Sequence, residues 1–408
     1  MRIIQVNKFN YIRGGAEKYF LDITAKLQAE GHEVAVFSMQ HPKNFPSVWS
    51  KYFVSRISFN ESAWRDRFIA LGRMIYSFEA RRKFSKLLDE FKPDLVHAHN
   101  IYNQLSPSIL SAAHKRGIPV VMHLHDYALV SPNRLLFSRG KIYERCLGGH
   151  YGRCILDRCH KDSYLKSALA SLTVWIHNSV LNIYRRTISI YIAPSAFMKA
   201  KAVEGALPEE RIKVLRNFAS TDFLTEPLSS GTRDYILYYG RLSEEKGLPV
   251  LFEAMAHIDP DLSLKVVGDG PLAAEYSAWV KKTGLTQRIS FIPSTQGKEL
   301  IDIIQGARAV IIPSIWYENM PLSLLEALAL GKTVIASRIG GMPEVIQHGV
   351  NGFLFEAENS AELARLVNEL DEEKIASVAK QARISQQENS LDSHYQQLMK
   401  IYDETLVS

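Results

Sequence analysis

Three features are scarce or missing in this sequence, and each excludes a class of protein. The chain has 408 residues but only 3 cysteines, too few for a disulfide framework, which favours a reducing compartment. No uncharged apolar run reaches the roughly 18 residues that a membrane-spanning helix needs. The opening MRIIQV is a strand-like run without the apolar core and small-residue cleavage site of a secretory signal. We therefore expect a cytoplasmic protein.

Charge is distributed unevenly along the chain. Residues 1–190 contain 28 basic and 14 acidic side chains, whereas residues 191–408 contain 21 basic and 29 acidic ones. The first part therefore has a net charge of +14 and the second a net charge of −8. This asymmetry predicts that the first part meets an anionic partner, such as a membrane surface, a lipid diphosphate or nucleic acid. The alternative is a basic surface that contacts only solvent.

Short apolar strands alternate with helices through most of the chain, which is typical of parallel sheets covered by helices. The length allows two domains of about 200 residues each. We expect a Rossmann-like domain over 1–190, with an irregular insertion at 127–163, and a second one over 191–384. A helix at 385–408 could pack back on the N-terminal domain. In such folds ligands bind at the carboxyl ends of the strands, here in a cleft between the domains.

Two glycines and a histidine follow predicted strands in the first part. Gly14 and Gly15 come after the strand at 2–9 and open a predicted helix. Without a Cβ they let the backbone approach a phosphate, and a helix N-terminus favours anions. They do not form the G-x-G-x-x-G of dinucleotide-binding folds, so a structural turn is the alternative. His125 follows the strand at 119–124, as a candidate active-site residue or a structural hydrogen-bonding group.

Two motifs in the second part place charged side chains beside predicted strand ends. Arg241 and Lys246 follow the strand at 235–240, and both cations suit a diphosphate, unless they lie on an ordinary surface loop. After the strand at 308–312, a loop and helix start carry the donor-binding candidates Glu318, Asn319, Met320, Pro321, Leu322 and Glu326. Backbone N–H groups there suit phosphate, and carboxylates accept hydrogen bonds from sugar hydroxyls. The alternative is one capping acid and one exposed helix acid.

Together these motifs resemble the retaining glycosyltransferases of family four. The matching residues are Gly14–Glu17, Gly240-Arg241, Lys246-Gly247, Val267–Pro271, Glu318 with Glu326, Gly340–Glu344 and Asn351–Leu354. The resemblance covers nearly the whole chain and is densest over 235–356. It implies an α/β fold of GT-B architecture, in which two Rossmann-like parallel-sheet domains face a cleft.

For catalysis, the resemblance implies four residues. Arg241 and Lys246 would neutralise the departing diphosphate. Glu318 would bind a hydroxyl of the donor sugar, and His125 would lie near the reacting carbon. Because retention in this family is thought to need no enzyme nucleophile, Glu318 is not assigned as a general base. No metal ion or cofactor is expected, and Asp259-Pro260-Asp261 is predicted to form a turn.

For donor binding, the resemblance implies contacts from both motif groups. Glu326 would bind the ribose hydroxyls, and amides near Met320 would hold the sugar and phosphates. The complete expected set is Gly14, Gly15, Asn319, Met320, Pro321, Leu322 and Glu326. The donor would be a UDP-sugar or GDP-mannose.

The activity implied by the resemblance is transfer of a hexosyl group to a glycan or lipid-linked glycan in bacterial lipopolysaccharide or exopolysaccharide synthesis. Nucleic acid is then not an expected partner. A nucleotide-sugar epimerase of the same fold and a catalytically silent scaffold subunit are the alternatives. The intact Arg241, Lys246, Glu318 and Glu326 favour an active transferase.

Two features of the first part predict peripheral association with the inner face of the cell membrane. A predicted helix at 164–186 has few charges between Lys166 and Arg185, so it suits either a membrane surface or the core. The basic clusters that suit anionic lipid are Arg65/Arg67/Arg73 and Arg81-Arg82-Lys83 with Lys86.

All three cysteines lie in the insertion, where Cys146, Cys154 and Cys159 are followed by His160. This spacing only loosely resembles a zinc site, because it lacks a C-x2-C pair. Buried or free thiols are therefore the prediction.

Overall fold

The chain folds into two compact units. The computed structural model describes residues 1–56, 72–102, 104–227 and 234–407. Unit 1 comprises Met1–Arg139, Tyr143–Leu215 and Tyr395–Ser408, and unit 2 comprises Gly140–Ile142 and Arg216–His394. The domain limits derived from the sequence stay predictions.

Unit 1 is built on a six-stranded parallel sheet with the strand order β2-β1-β3-β4-β7-β8. The strands are β1 (Arg2–Val6), β2 (Glu33–Phe37), β3 (Leu95–Ala98), β4 (Val120–His123), β7 (Ile190–Ala193) and β8 (Ile212–Val214). A two-stranded sheet outside the two large ones consists of β5 (Phe137–Ser138) and β6 (Lys141–Ile142). The helices are α1 (Gly15–Ala29), α2 (Phe78–Phe91), α3 (Ser108–His114), α4 (Gly152–Leu156), α5 (Tyr164–Trp175), α6 (Ile183–Thr187) and α7 (Ala196–Glu204).

Unit 2 contains a second six-stranded parallel sheet, with the order β11-β10-β9-β12-β13-β14. Its strands are β9 (Tyr235–Tyr239), β10 (Ser263–Val267), β11 (Ile289–Ile292), β12 (Val310–Ile312), β13 (Val334–Ser337) and β14 (Phe353–Phe355). The helices are α8 (Thr221–Thr225), α9 (Leu248–Ala254), α10 (Ala273–Lys282), α11 (Gly297–Gln305), α12 (Leu322–Ala329), α13 (Ser360–Asn368) and α14 (Glu372–Gln387). The last helix, α15 (Leu391–Val407), ends the chain, and its residues from Tyr395 onward belong to unit 1.

Strand β9 shows why a central strand of such a sheet carries apolar side chains on both faces. Ile236 and Tyr238 belong to one apolar cluster, whereas Tyr235, Leu237 and Tyr239 belong to another. Successive side chains of a strand point to opposite faces, so both faces of the sheet are buried. The predicted α/β class with two Rossmann-like parallel sheets is confirmed.

The predicted continuous helix at 164–186 is wrong, because the helix changes to a π-helical turn and is then broken near Asn182. After α5 a single π-helical turn covers Ile176–Val180, and Asn182 then adopts a left-handed φ of 47° before α6. The Asn178 amide donates hydrogen bonds to the carbonyl oxygen of Leu129 and the hydroxyl of Tyr151, both at 2.8 Å. These tertiary bonds compensate for the irregular turn, which the residue pattern alone does not show.

The prediction of three buried or free thiols is correct for one cysteine and wrong for two. Cys154 and Cys159 form a disulfide with a Cα–Cα distance of 4.9 Å. Cys146 is a buried free thiol, whose Sγ lies 3.2 Å from Oγ of Ser131. The turn after α4 brings the two bonded cysteines within disulfide range, which their spacing in the sequence did not reveal.

Candidate active site

The carboxyl ends of β9, β12 and β13 lie side by side in unit 2, because these strands are neighbours in a parallel sheet. The loops that follow them cover 240–247, 313–321 and 338–341. Every charged residue that the sequence predicted for the second part, except Glu326, lies in these loops. One edge of the sheet therefore gathers the candidate side chains.

Two glycines let the three loops pack closely. Gly247 and Gly340 have left-handed φ angles of 67° and 63°. A Cβ on Gly340 would lie 2.2 Å from the carbonyl oxygen of Glu318, and one on Gly247 would lie 2.0 Å from that of Pro313. Neither site can accept a side chain without moving backbone. The loop with Glu318 is therefore held from both sides.

Glu318 is the centre of this loop cluster. Its Oε1 accepts hydrogen bonds from Nζ of Lys246 and Oγ of Ser314, each at 2.6 Å. The Glu318 residue is only 4% exposed. A buried carboxylate needs such partners, and a charged donor gives the stronger bond. Among the described residues, no hydrogen bond reaches Oε2 of Glu318, so this oxygen can accept one from a ligand.

Arg241 begins the loop that Lys246 ends. The Tyr238 hydroxyl donates a hydrogen bond of 2.7 Å to the carbonyl oxygen of Arg241. Burial, followed by the Glu318 charge, raises the pKa of Tyr238, which keeps its hydroxyl a donor. The backbone of Arg241 is therefore fixed while its side chain is exposed to solvent. Within the described part of the chain, the structure brings Lys246 to Glu318 but shows no such contact for Arg241.

Helix α12 begins directly after Pro321. Pro321 is its N-cap, with φ −69° and ψ 134°, and Leu322 is the first helical residue. Nδ2 of Asn217 donates a 3.0 Å hydrogen bond to the carbonyl oxygen of Met320 and so holds the approach to the helix. The first N–H groups of a helix lack intrahelical partners, so Leu322 and Ser323 present donors at this edge.

Glu326 lies inside α12 and is buried, as are Asn319 and Met320. Tyr239, the last residue of β9, donates a 2.6 Å hydrogen bond to the carbonyl oxygen of Ser323. Burial raises the pKa of Tyr239, and the Glu326 charge raises it further. Glu326 is therefore an acid near the end of β9, within the same loop cluster.

Sequence reasoning missed two supporting residues. Ser314 received no role in the sequence analysis, although it lies two residues beyond β12 and its hydroxyl donates to Glu318. Its position after a strand was the signal that could have found it. Asn217 lies 103 residues from Met320 in sequence, so no local pattern pointed to it.

In unit 1, His125 lies just beyond β4. Its Nε2 is 2.9 Å from Nδ1 of His99, which follows β3. Burial lowers the pKa of His125 to about 3, so its imidazole is neutral near pH 7. Gly14 is the N-cap of α1, with no side-chain cap, and Gly15 is the first helical residue.

A group of cations lies beyond β1 in the same unit. Nζ of Lys8 and Cζ of Arg13 lie 4.7 and 4.9 Å from the centroid of the Phe9 ring. Burial, then the charges of Arg134 and Arg13, lower the pKa of Lys8 to about 8. Burial also raises the pKa of nearby Glu17. Among the described residues, no carboxylate forms an ion pair with Lys8 or Arg13 within 4.0 Å.

Acidic and sulfur side chains are not gathered into a metal site in the part of the chain that the structure describes. No group of three or more His, Cys, Asp or Glu side chains there could hold an ion. Asp259 and Asp261 form the predicted turn, in which the N–H of Asp261 donates a 3.0 Å hydrogen bond to Oδ1 of Asp259.

Comparison with known proteins connects this architecture with one enzyme family. Residues 13–223 match Glycosyltransferase Family 4, and residues 221–389 match Glycosyl transferases group 1. An uncharacterized 42.6 kDa protein in the cps region of Klebsiella pneumoniae is 21% identical over 358 residues, 85% of this chain and 87% of that protein. Spore coat protein SA of Bacillus subtilis is 24% identical over 373 residues, 88% of this chain and 86% of that protein.

Solved structures share the fold along the whole chain. HepE of Anabaena, crystallised with UDP and glucose, superposes with a TM-score of 0.68 at 21% identity, covering 99% of both chains. The lipopolysaccharide outer core galactosyltransferase WaaB gives 0.64 at 18% identity, also covering 99% of both chains. The two parallel sheets and the two adjoining family matches lead to one conclusion: the chain belongs to glycosyltransferase family 4 and is a retaining glycosyltransferase of the GT-B fold.

Proposed function

We propose that the enzyme moves a hexosyl group from a UDP-sugar or GDP-mannose to a glycan or lipid-linked glycan during cell-surface polysaccharide synthesis. The contact between Lys246 and Glu318 carries the donor half of this proposal. A cation beside a buried carboxylate suits the phosphate and the sugar of one molecule. The acceptor half is supported by relatives, since WaaB acts in the lipopolysaccharide outer core and the Klebsiella protein is encoded in a cps region.

Lys246 and Arg241 neutralise the diphosphate in this proposal. The Lys246 ammonium donates one of its three hydrogens to Glu318, which leaves two for phosphate oxygens. Arg241 supplies a second cation from the exposed start of the same loop. The N–H groups of Leu322 and Ser323 add the positive end of α12. Negative charge that develops on the leaving oxygen is then stabilised from several directions.

The acids and the remaining residues orient the donor. Oε2 of Glu318 accepts a hydrogen bond from a sugar hydroxyl, for which we propose the 3-OH. Glu326 accepts hydrogen bonds from the ribose, and His125 contacts the sugar near the reacting carbon. Main chain that approaches the donor is supplied by Gly14, Gly15, Asn319, Met320, Pro321 and Leu322.

Transfer then proceeds on one face of the sugar. The acceptor oxygen bonds to the anomeric carbon on the face from which the diphosphate departs. The bond between that carbon and the phosphate oxygen breaks, and its electron pair stays on the phosphate. The same phosphate oxygen takes the acceptor's proton, so the configuration is retained without an enzyme nucleophile. Because Arg241 and Lys246 supply the positive charge, we expect transfer to persist in EDTA.

The cations beyond β1 support the proposal that the acceptor carries an anionic group. Lys8 and Arg13 flank Phe9 and have no carboxylate within 4.0 Å among the described residues. A partly buried cation with cationic neighbours gains from an anion beside it. We therefore propose that Lys8 and Arg13 bind a phosphate of a lipid-linked acceptor.

Peripheral attachment to the inner face of the cell membrane is supported by α5. No helix among the described residues has the length and apolar character needed to cross a membrane. Leu165 and Trp175 are nonetheless 70% and 49% exposed, which suits shallow insertion. Of the predicted basic clusters, Arg65 and Arg67 lie outside the described residues. Arg73 and Lys83 both pair with Glu79, which leaves fewer charges for lipid.

A panel of labelled donors tests the proposed function. Purified protein is incubated with UDP- and GDP-sugars, with and without extracted lipid-linked glycans, and the products are separated. Release of nucleoside diphosphate with labelled glycan supports transfer. A new nucleotide sugar would indicate epimerisation instead, and no product with any donor would favour a scaffold subunit. Sedimentation with anionic liposomes tests attachment, which should weaken as salt is raised.

A further inference from the structure

Beyond β3 and β4 of unit 1, His125 belongs to a buried chain of hydrogen bonds that the proposed mechanism leaves unused. The two strands are parallel neighbours, which places His99 and His125 at the same edge of the sheet. Their rings stack with centroids 5.2 Å apart. His99 is completely buried, so its polar atoms depend on protein partners.

The chain of hydrogen bonds runs from His125 to the C-terminal helix. Nε2 of His125 lies 2.9 Å from Nδ1 of His99, and Nε2 of His99 lies 2.8 Å from Oε1 of Gln5. Nε2 of Gln5 in turn donates to the hydroxyl of Tyr402 at 3.5 Å. That hydroxyl lies 2.7 Å from Nδ1 of His97. Gln5 and Tyr402 are fully buried and 397 residues apart in sequence.

The orientation of the Gln5 amide assigns the proton of each ring. Its nitrogen donates to the Tyr402 hydroxyl, and its oxygen faces Nε2 of His99. A carbonyl oxygen only accepts, so Nε2 of His99 carries the proton. In a neutral imidazole the other nitrogen has a lone pair, so Nδ1 of His99 accepts and Nε2 of His125 donates. Burial lowers the pKa of both histidines, which keeps both rings neutral near pH 7.

We propose that Gln5 and His99 are positioning residues that hold His125 as the Nε2–H tautomer. In this tautomer Nδ1 of His125 carries the lone pair, so that nitrogen is a hydrogen-bond acceptor and His125 is not a cation. The contact of His125 with substrate rests on the proposed function, whereas the tautomer belongs to the free enzyme. This assignment removes His125 as the source of a proton for the leaving phosphate.

Nitrogen NMR of the full-length protein tests the tautomer without any substrate. Histidine-labelled enzyme is recorded near pH 7, and the His125 signals are assigned by their loss in His125→Gln. We expect a protonated Nε2 and an unprotonated Nδ1. A proton on Nδ1, or a charged ring, in the wild-type protein would overturn the proposal whether or not any variant folds.

Gln5→Met tests the positioning role, with Gln28→Met on the exposed face of α1 as its matched control. Loss of the amide oxygen should mix the two tautomers of His125 and lower kcat by at least about tenfold, with the donor KM within about twofold. Gln28→Met should change neither quantity. An unchanged tautomer and kcat in folded Gln5→Met would contradict the proposal. Failure of every donor assay with the tautomer as expected would contradict the proposed function instead.

Discussion

Two lysines, each in the loop that follows a central strand of its sheet, have different charged neighbours. In unit 2, Lys246 lies 2.6 Å from a carboxylate oxygen of Glu318. In unit 1, Lys8 lies beside the ring of Phe9, which Arg13 also contacts, and has no carboxylate within 4.0 Å among the described residues. The pKa of Lys8 falls to about 8, chiefly because the side chain is buried.

The difference indicates two ways of preparing a cation for an anionic ligand. Lys246 is held in place by its own acid before any ligand arrives, so it is suited to a position where geometry controls the reaction. Lys8 is influenced by Glu17 as well as by Arg134 and Arg13, but the two cations have the larger effect on its pKa, so an incoming anion relieves repulsion when it binds. We infer that unit 2 is organised for the departing diphosphate and unit 1 for affinity toward an anionic acceptor.

The largest effect is expected from Glu318→Ala. It removes the acceptor for Lys246 and Ser314 together with the free oxygen proposed to bind the sugar. Turnover should fall by more than about tenfold, since the contact is made at the reacting sugar. Glu369→Ala, an exposed acid paired with Arg365, is the control and should retain activity. Measured kcat equal to that of wild type in Glu318→Ala would remove this acid from the site.

Arg241→Ala should reduce turnover by a similar or slightly smaller factor, because one of two cations remains to neutralise the leaving diphosphate. It is a cleaner change than Lys246→Ala, which leaves Glu318 buried without its cation, a loss that typically costs about 3–5 kcal/mol of stability. Lys298→Ala, at an exposed ion pair with Glu226, serves as the control. Steady-state rates at saturating donor concentration test this prediction. A wild-type rate for Arg241→Ala would refute the role of Arg241 in neutralising the diphosphate.

Lys8→Met should act on the acceptor and not on the donor. We expect the acceptor KM to rise by about fivefold, with the donor KM unchanged. In the wild type, acceptor KM should also rise as the pH passes above about 8, because Lys8 then loses its proton. The variant should lack that pH dependence. Parallel profiles for the two proteins would exclude Lys8 from acceptor binding.

The smallest effect concerns stability. Because the pKa of Lys8 falls from 10.5 to about 8 on folding, the unfolded chain binds more protons between those values. The charged lysine therefore destabilises the fold fully below about pH 8, and this cost disappears as the pH rises toward 10.5. Lys8→Met should raise the melting temperature at pH 7, and its advantage should shrink at pH 10. An advantage that is equal at both pH values would contradict the linkage.

Most strands of both sheets could be predicted because they are apolar on both faces and are bounded by polar or glycine-containing loops. The break in the helix at 164–186 could not, since Asn178 compensates for the irregular turn through Leu129 and Tyr151, which lie far away in sequence. The disulfide could not be predicted for a related reason. Their spacing allows a disulfide between Cys154 and Cys159 but does not require one, and only the turn after α4 brings the two together.

The candidate site divides in the same way. The residue types that bind a nucleotide sugar could be located after predicted strands. In this fold, ligands bind at the carboxyl ends of the parallel strands. The supporting residues Ser314 and Asn217 were not assigned, because their importance comes from the partner each one binds. Residue type alone is a weak signal for such supporting groups.

By itself, the sequence determined that parallel sheets would form and that a pair of cations and a pair of acids would follow their strands. Only the tertiary structure decided that Lys246 contacts Glu318 across 72 residues, and that Gln5 joins His99 to Tyr402. The physical reason is that the pattern of apolar and polar residues depends only on which face of each helix or strand is buried. Contacts at the sheet edge depend instead on which strands become neighbours, and strand order is a property of the whole fold.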